Sequence, residues 1–227
     1  MILLKNHKVL FVKTTKTAGT SIELALSQFA TAQDIVTPIF PQELGHMPQN
    51  YLGFFNPFKE LHGAQSFKHT LRPFVDFAIG RKYFNHMTLN QIVSRCDFDL
   101  TSYFKFCVER NPYSKVVSYY EMQKTRGKTT KNFSDFIRFN RLPLDHLKYM
   151  NRSGEVLLDQ VLKYEDLKNS FEKLVCERFN LPNYRFGNFA KVSAARQDFR
   201  FYYSDADVDL VNTLYRPVFN IFDYNFE

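Results

Sequence analysis

Three short apolar runs in this chain each give way to a polar turn and then to a stretch whose apolar residues recur at helical spacing. That repeat of strand, turn and helix limits the fold more than any other feature. The first run is Val9-Leu10-Phe11-Val12, followed by a turn over Lys16 to Ser21 and by Ser21-Ile22-Glu23-Leu24-Ala25-Leu26. The second is Tyr103 to Glu109, ended by Arg110-Asn111-Pro112. Pro112 suits the first turn of a helix, where its missing N–H would have had no partner anyway, and that helix runs through Val116, Val117 and Tyr120. The third, Val156 to Leu162, leads through Lys163-Tyr164-Glu165-Asp166-Leu167 to a helix from about Ser170 to Phe179, stopped by Pro182. Further helices are expected from Thr88, as cap, to about Arg95 and from about Asp205 to Tyr215. Strands alternating with helices predict βαβ units, a parallel sheet and an α/β fold.

A chain of 227 residues, 44% of them hydrophobic, can bury one sizeable core, so a single domain spanning 1–227 is expected. With 25 Phe, 13 Tyr and 23% charged residues it is a packed globule and not a disordered chain. Between about 36 and 77 the pattern breaks up, with Pro38, Pro41, Pro48, Pro57 and Pro73 among Phe54, Phe55, Phe58 and Phe67; this reads as an irregular, aromatic-rich and Pro-rich excursion over one end of the sheet. Met1 to Val12 is interrupted by Lys5, His7 and Lys8 and has no small-residue cleavage site after it, so it reads as a strand and not as a signal. No run approaches the ~20 apolar residues of a membrane helix, and no membrane span is expected. Cys96, Cys107 and Cys176 are odd in number and lack metal-ligand spacing, which fits a reducing, cytoplasmic setting and no metal site. A formal charge of +7 favours an anionic partner, yet the densest basic stretch, Lys124 to Lys131, is too short for a nucleic-acid tail.

The turn Lys16-Thr17-Ala18-Gly19-Thr20-Ser21 stands where a strand hands over to a helix. The first N–H groups of a helix lack partners and the macrodipole is positive there, so a phosphate at that point collects several hydrogen bonds. Ala18 and Gly19 remove bulk, and Gly19 also tolerates unusual backbone angles. Thr20 and Ser21 add hydroxyls, and Lys16 adds a mobile positive charge. An ordinary helix start beside a surface lysine would look the same. The lysine leads the turn, whereas a Walker A motif carries it late, which counts against an ordinary ATP or GTP hydrolase. Arg110 ends an inferred strand, where open α/β sheets place ligands, and Ser118 lies eight residues on, about two turns into the next helix. An arginine fork and a hydroxyl so placed could hold a second phosphate; a surface ion pair and a neutral helix residue are the plainer alternative.

Phe11 to Leu26 resembles the 5′-phosphosulfate loop of P-loop sulfotransferases, Tyr103 to Tyr120 resembles their 3′-phosphate segment, and Val161 to Leu167 looks like a third landmark, all in the family's order. The likeness is to the soluble bacterial relatives of the carbohydrate sulfotransferases. It implies a P-loop-type three-layer fold with a central, mainly parallel sheet flanked by helices. It implies 3′-phosphoadenosine 5′-phosphosulfate (PAPS) as donor and 3′-phosphoadenosine 5′-phosphate (PAP) as product. Lys16, Thr17, Ala18, Gly19, Thr20 and Ser21 then take the 5′ end of the donor, and Arg110 and Ser118 the 3′-phosphate. Thr15 stands where many members have proline, Ala18 where many have glycine, and Ser114-Lys115 where Asp-Arg is frequent. Sulfuryl transfer needs a base for the acceptor hydroxyl and positive charge for the leaving phosphate, with Lys16 as the candidate cation. His86, before a helix start, resembles the family's base; His69 is the second candidate, and Glu23 and Glu109 are further ones. Arg196, in Ala190 to Arg196, matches a late basic loop that closes over the nucleotide. The leading acceptor is a saccharide hydroxyl, expected to dock on the excursion and on Lys124 to Lys131, where the side chains fit a sugar, a phenol or a lipid headgroup alike. Two other functions share these features: a P-loop small-molecule kinase, and a non-catalytic nucleotide- or RNA-binding protein that uses net charge and aromatic faces.

Overall fold

The computed structural model describes residues 1–60, 67–187 and 198–226, and for residues 67–70 the backbone alone. The elements in chain order are β1 (Ile2–Leu4), β2 (Val9–Phe11), α1 (Gly19–Ser27), β3 (Ile35–Val36), α2 (Phe67–Ala78), α3 (Leu89–Arg95), β4 (Phe104–Glu109), α4 (Pro112–Thr125), α5 (Phe133–Phe139), β5 (Gln160–Lys163), α6 (Leu167–Phe179), α7 (Asp205–Leu214) and α8 (Arg216–Phe219). The five strands form one sheet in the order β3-β1-β2-β4-β5. β2 pairs parallel with β4 and β4 with β5, while β1 is antiparallel to both β2 and β3. Four of the five strands therefore point one way, and the mixed α/β fold with a mainly parallel sheet agrees with the sequence pattern.

Period-two alternation sends each strand's side chains to opposite faces, and both faces are covered. Phe11, Phe106, Val108 and Leu162 pack with Ile22, Ala25 and Leu26 of α1 and with Phe171, Leu174 and Val175 of α6. On the other face Leu3, Leu10, Val12 and Cys107 meet Leu89 and Ile92 of α3 and the buried Tyr149. Strands buried on both sides read as continuous apolar runs, which is why three of them were legible as such. A third cluster joins α4, α5, α7 and α8 through Val116, Tyr120, Phe136, Val211, Tyr215 and Val218.

Three expectations need correction, and two helices were not anticipated. Met1 to Val12 is not one strand but a hairpin: Lys8 adopts φ 51° and its N–H returns to the Lys5 carbonyl at 3.2 Å, turning β1 back into β2. The polar residues that interrupt the run are the turn. The apolar run from Val156 is strand only over β5; Val156 instead bridges Met150. The excursion at 36–77 is not irregular throughout, because Phe67–Ala78 is helical despite Pro73. Finally, α5 and α8 are two short helices the sequence reading passed over, although Asn132 caps α5 by accepting from the Asp135 N–H and Pro217 stands in the first turn of α8. Where capping signals were strong the boundaries agree: Thr88 accepts from the Gln91 N–H at 3.2 Å, the Gln91 side chain accepts from the Thr88 N–H at 3.1 Å, and α3 starts there.

Candidate functional site

The three parallel strands β2, β4 and β5 all end at one cavity of about 500 Å³, reached by Lys13 after β2, Arg110 after β4 and Tyr164 after β5. Open parallel sheets bind ligands beyond the carboxyl ends of their strands. The segment from Lys13 to Ser21 forms one wall: it is loop as far as Ala18 and the first turn of α1 from Gly19, so the helix starts two residues before the Ser21 that the sequence pattern suggested. The loop's shape depends on two left-handed residues, Lys16 at φ 61° and Ala18 at φ 56°, a conformation that costs a non-glycine residue about 1–2 kcal/mol. Ala18 is the N-cap of α1 and no side chain caps that helix, so its first turn opens toward the cavity. Gly19 is not the residue with the unusual angle, contrary to the sequence reading. It is needed for space: a Cβ there would lie 2.8 Å from Cγ and 3.0 Å from Cε of Lys13.

The loop is held from below by a buried set of charges. Asp145 accepts from the Thr15 N–H at 2.7 Å and from the Thr15 hydroxyl at 3.1 Å. The same carboxylate binds Lys115 at 2.9 Å and also Lys148. Burial pushes the Asp145 pKa up, but the two lysines overcome it and hold the carboxyl well below its ordinary range. Thr15 thus uses the N–H that a proline would lack, which accounts for threonine at this position.

Arg110 and Ser118 form the facing wall. The Arg110 guanidinium lies over the Tyr164 ring at 4.4 Å, its Nε donates to Ser114 Oγ at 2.6 Å and its NH1 donates to the Lys16 carbonyl at 3.3 Å. No described carboxylate forms an ion pair with it. Ser118 is buried on the side of α4 that faces the cavity. Tyr119, Met122, Gln123 and Arg126 of α4 and its C-terminal cap also reach the lining; of these the sequence reading marks only Arg126, within the basic stretch, although Met122 lies four residues from Ser118 and Arg126 four from Met122, the spacing that shares a helix face. Gln123 donates to the Tyr119 hydroxyl at 2.7 Å, while its Oε1 is buried without a partner among the described residues.

His86 completes the site from a third direction. It too is left-handed, at φ 62°, and strained backbone of this kind concentrates at functional sites. Its Nδ1 lies 3.3 Å from the Lys13 carbonyl. A carbonyl only accepts, so Nδ1 carries the proton in that contact and Nε2 keeps a lone pair. Desolvation by surrounding protein, then the charges of Lys148 and Lys13, move its pKa down to about 3. The ring still has exposed surface on the cavity, so the desolvation is that of a recess and not of a sealed core. Its direction keeps the imidazole neutral at neutral pH.

The cavity accordingly brings together Lys16 to Ser21, His86, Arg110 and Ser118, and adds Ile39 and Phe40 of the excursion and Arg126 and Lys128 of the basic loop. Glu23 and Glu109 are not available as bases. Glu23 is buried against Lys13 and the Met1 amino group, and Glu109 against Lys115 and the Tyr149 hydroxyl at 2.7 Å. The side chain of His69 and the whole of Arg196 lie outside the described residues. Five cationic side chains line the cavity and no described Asp or Glu does.

No family model matches this chain. It is 34% identical over 85 residues to an uncharacterized protein of Archaeoglobus fulgidus, a match covering 35% of this chain and 70% of that protein. The chain belongs to that protein's family. Membership carries no activity, since the archaeal relative has none assigned in its name. A sulfotransferase from Alicyclobacillus acidocaldarius, a solved structure, is similar over 91% of this chain and 95% of its own, at 15% identity and a TM-score of 0.40. At that score the likeness is too distant to assign a function, and none is taken from it. No described helix is long and apolar enough to cross a membrane.

Proposed function

We propose that this chain transfers a sulfuryl group from PAPS to an acceptor hydroxyl, with a saccharide as acceptor class and PAP as product. The observation that carries the reading is the charge of the cavity: five cations and no described carboxylate line it, and the uncapped start of α1 opens into it. Such a lining suits a ligand with two separate anionic ends. Lys16 to Ser21 would hold the 5′ end through the helix start, and Arg110 with Ser118 the 3′-phosphate. A cavity of about 500 Å³ lies within the roughly 300–1,000 Å³ of sites that take ligands of this size.

When bound, the donor supplies the sulfuryl group and a phosphate that becomes more negative as the group leaves. Lys16 is the cation set to balance that charge. His86, neutral with Nδ1 engaged on a carbonyl, takes the acceptor's proton at Nε2. Arg196 as a closing contact and His69 as a second base stay in the proposal on sequence grounds alone. So does a cytoplasmic setting, with Cys96, Cys107 and Cys176 all unpaired. Magnesium-dependent phosphoryl transfer is the weaker reading, because it calls for carboxylates beside the phosphates and the described lining has none.

The test is a thermal-shift comparison followed by transfer of radiolabel from PAPS to a saccharide library. Stabilisation by PAP and not by ATP with magnesium is expected, with labelled product that Lys16→Ala and His86→Ala each reduce by about a hundredfold or more. The opposite nucleotide preference, or tight single-stranded RNA binding without any response to PAP, would overturn the proposal.

A further inference from the structure

Ten of the sixteen large apolar side chains that are exposed among the described residues fall between Phe40 and Ile79. Single exposed leucines need no explanation, but a cluster this dense does. The cavity uses the cluster only at its edge, through Phe40. α2 organises the rest. Its inner side holds Pro73 and Asp76, both buried, with Asp76 bound to Arg81 and, at 2.9 Å, to Arg95. Its outer side carries Leu71, Val75 and Ile79 at four-residue intervals, 49%, 56% and 60% exposed, and four-residue spacing stacks them on one face. Ile79 keeps that register because its N–H bonds the Val75 carbonyl at 3.1 Å.

Two more rings widen this surface. Phe58 meets Phe74 of α2 edge to face at 5.2 Å, and Phe54 meets Phe77 at 5.3 Å; Phe58 and Phe54 are 62% and 70% exposed. Along 54–60 and 71–79 the exposed charges are of one sign. Glu60 and Asp76 are tied into ion pairs with Arg95 and Arg81 on the inner side, whereas Lys59 and Arg72 are exposed. The whole chain carries +7.

We propose that this face seats on an anionic lipid surface. Leu71, Val75, Ile79, Phe54 and Phe58 enter the headgroup boundary, and Lys59 and Arg72 meet lipid phosphates. An amphipathic helix that presents aliphatic and aromatic side chains beside basic ones binds membranes through both effects together. A second copy of this chain is a poorer occupant, because a two-fold contact on this face would bring the same cations of both copies together.

Flotation of the full chain with phosphatidylcholine vesicles, with and without phosphatidylglycerol, tests the proposal without reference to transfer chemistry. Association with the phosphatidylglycerol vesicles is expected, much less with phosphatidylcholine alone, and less again in high salt. The double variant Val75→Glu, Ile79→Glu is expected to weaken it by about tenfold or more, with thermal unfolding and PAP response unchanged. Four results would each overturn it: no flotation with either vesicle, equal flotation with both, flotation that the double variant leaves intact, or a dimer in light scattering that the double variant dissociates.

Discussion

At the scale of single residues, the role proposed for His86 rests on what its surroundings do to its proton. Its folded-state pKa is lowered from 6.5 to about 3, so the folded protein resists protonating it. The stability tied to its neutral form is whole above about pH 6.5 and is lost as pH falls from there toward about 3. For activity the consequence is an acid limb of kcat/KM lying below pH 6.5, the free-imidazole value. A limb at or above that value would remove His86 as the base. His86→Ala should cost ~10²–10⁴-fold in kcat, the usual size of a general-base contribution. Gly19 and Ala18 make a contrasting pair. Gly19→Ala drives a methyl to 2.8 Å from Cγ of the buried Lys13 and should destabilise by about 1–3 kcal/mol in urea denaturation, as overpacking does. Ala18→Gly relieves a φ of 56° and should stabilise by roughly 0.5–1 kcal/mol, since the strain released exceeds what a single half-buried methyl group contributes. The resemblance pointed to the second of these, since glycine is frequent at position 18. Only the coordinates of Lys13 pointed to the first.

At the scale of elements, the short helical turn Asp145–Lys148 acts as the floor of the loop. It is distant in sequence from Thr15, yet Asp145 binds that residue twice, and with Lys115 and Glu109 it forms a charge cluster sealed from water. Removing one charge from such a cluster leaves others buried and unbalanced, so Asp145→Asn should cost about 3–5 kcal/mol and weaken PAP binding by freeing Thr15. Because the Asp145 pKa is lowered on folding, the stability it contributes is present above the ordinary carboxylate range and is lost as pH falls below it. The asparagine variant should therefore lose part of the wild-type acid transition. Equal stability of the two proteins from neutral pH down through that transition would show the cluster to be inert. No sequence pattern marked this turn: its residues are few, and what matters is their partner in another part of the chain.

At the scale of the whole molecule, a ligand that engages α1, the end of β4 and α4 at once joins the segments that follow the two central strands β2 and β4, and should stabilise the fold as a unit. PAP at a hundredfold excess over its Kd should add about 2.7 kcal/mol, a rise in Tm of roughly 5–10 °C for a chain of this size. An unchanged Tm at saturating PAP would mean that the cavity takes something else. How far all this could be read beforehand follows from the range of the forces involved. Strand, turn and helix rest on local periodicity, capping and the chemistry of a helix start, so the α/β class, the span of α3, the start of α4 and the existence of a turn between β2 and α1 were legible from the sequence, while the start of α1 lies at Gly19 and not at Ser21. Local patterns failed where packing elsewhere overrode them, as with helix α2 around Pro73 and the strand shortened to β5. Convergence was decided by tertiary structure alone. The parallel register of β2, β4 and β5 carries Lys13, Arg110 and Tyr164 to one edge, buried carboxylates fix Thr15 and remove Glu23 and Glu109 from the chemistry, and the fold leaves His86 facing the same space. Those outcomes depend on pairing and burial between residues far apart in the chain, which no window of sequence contains.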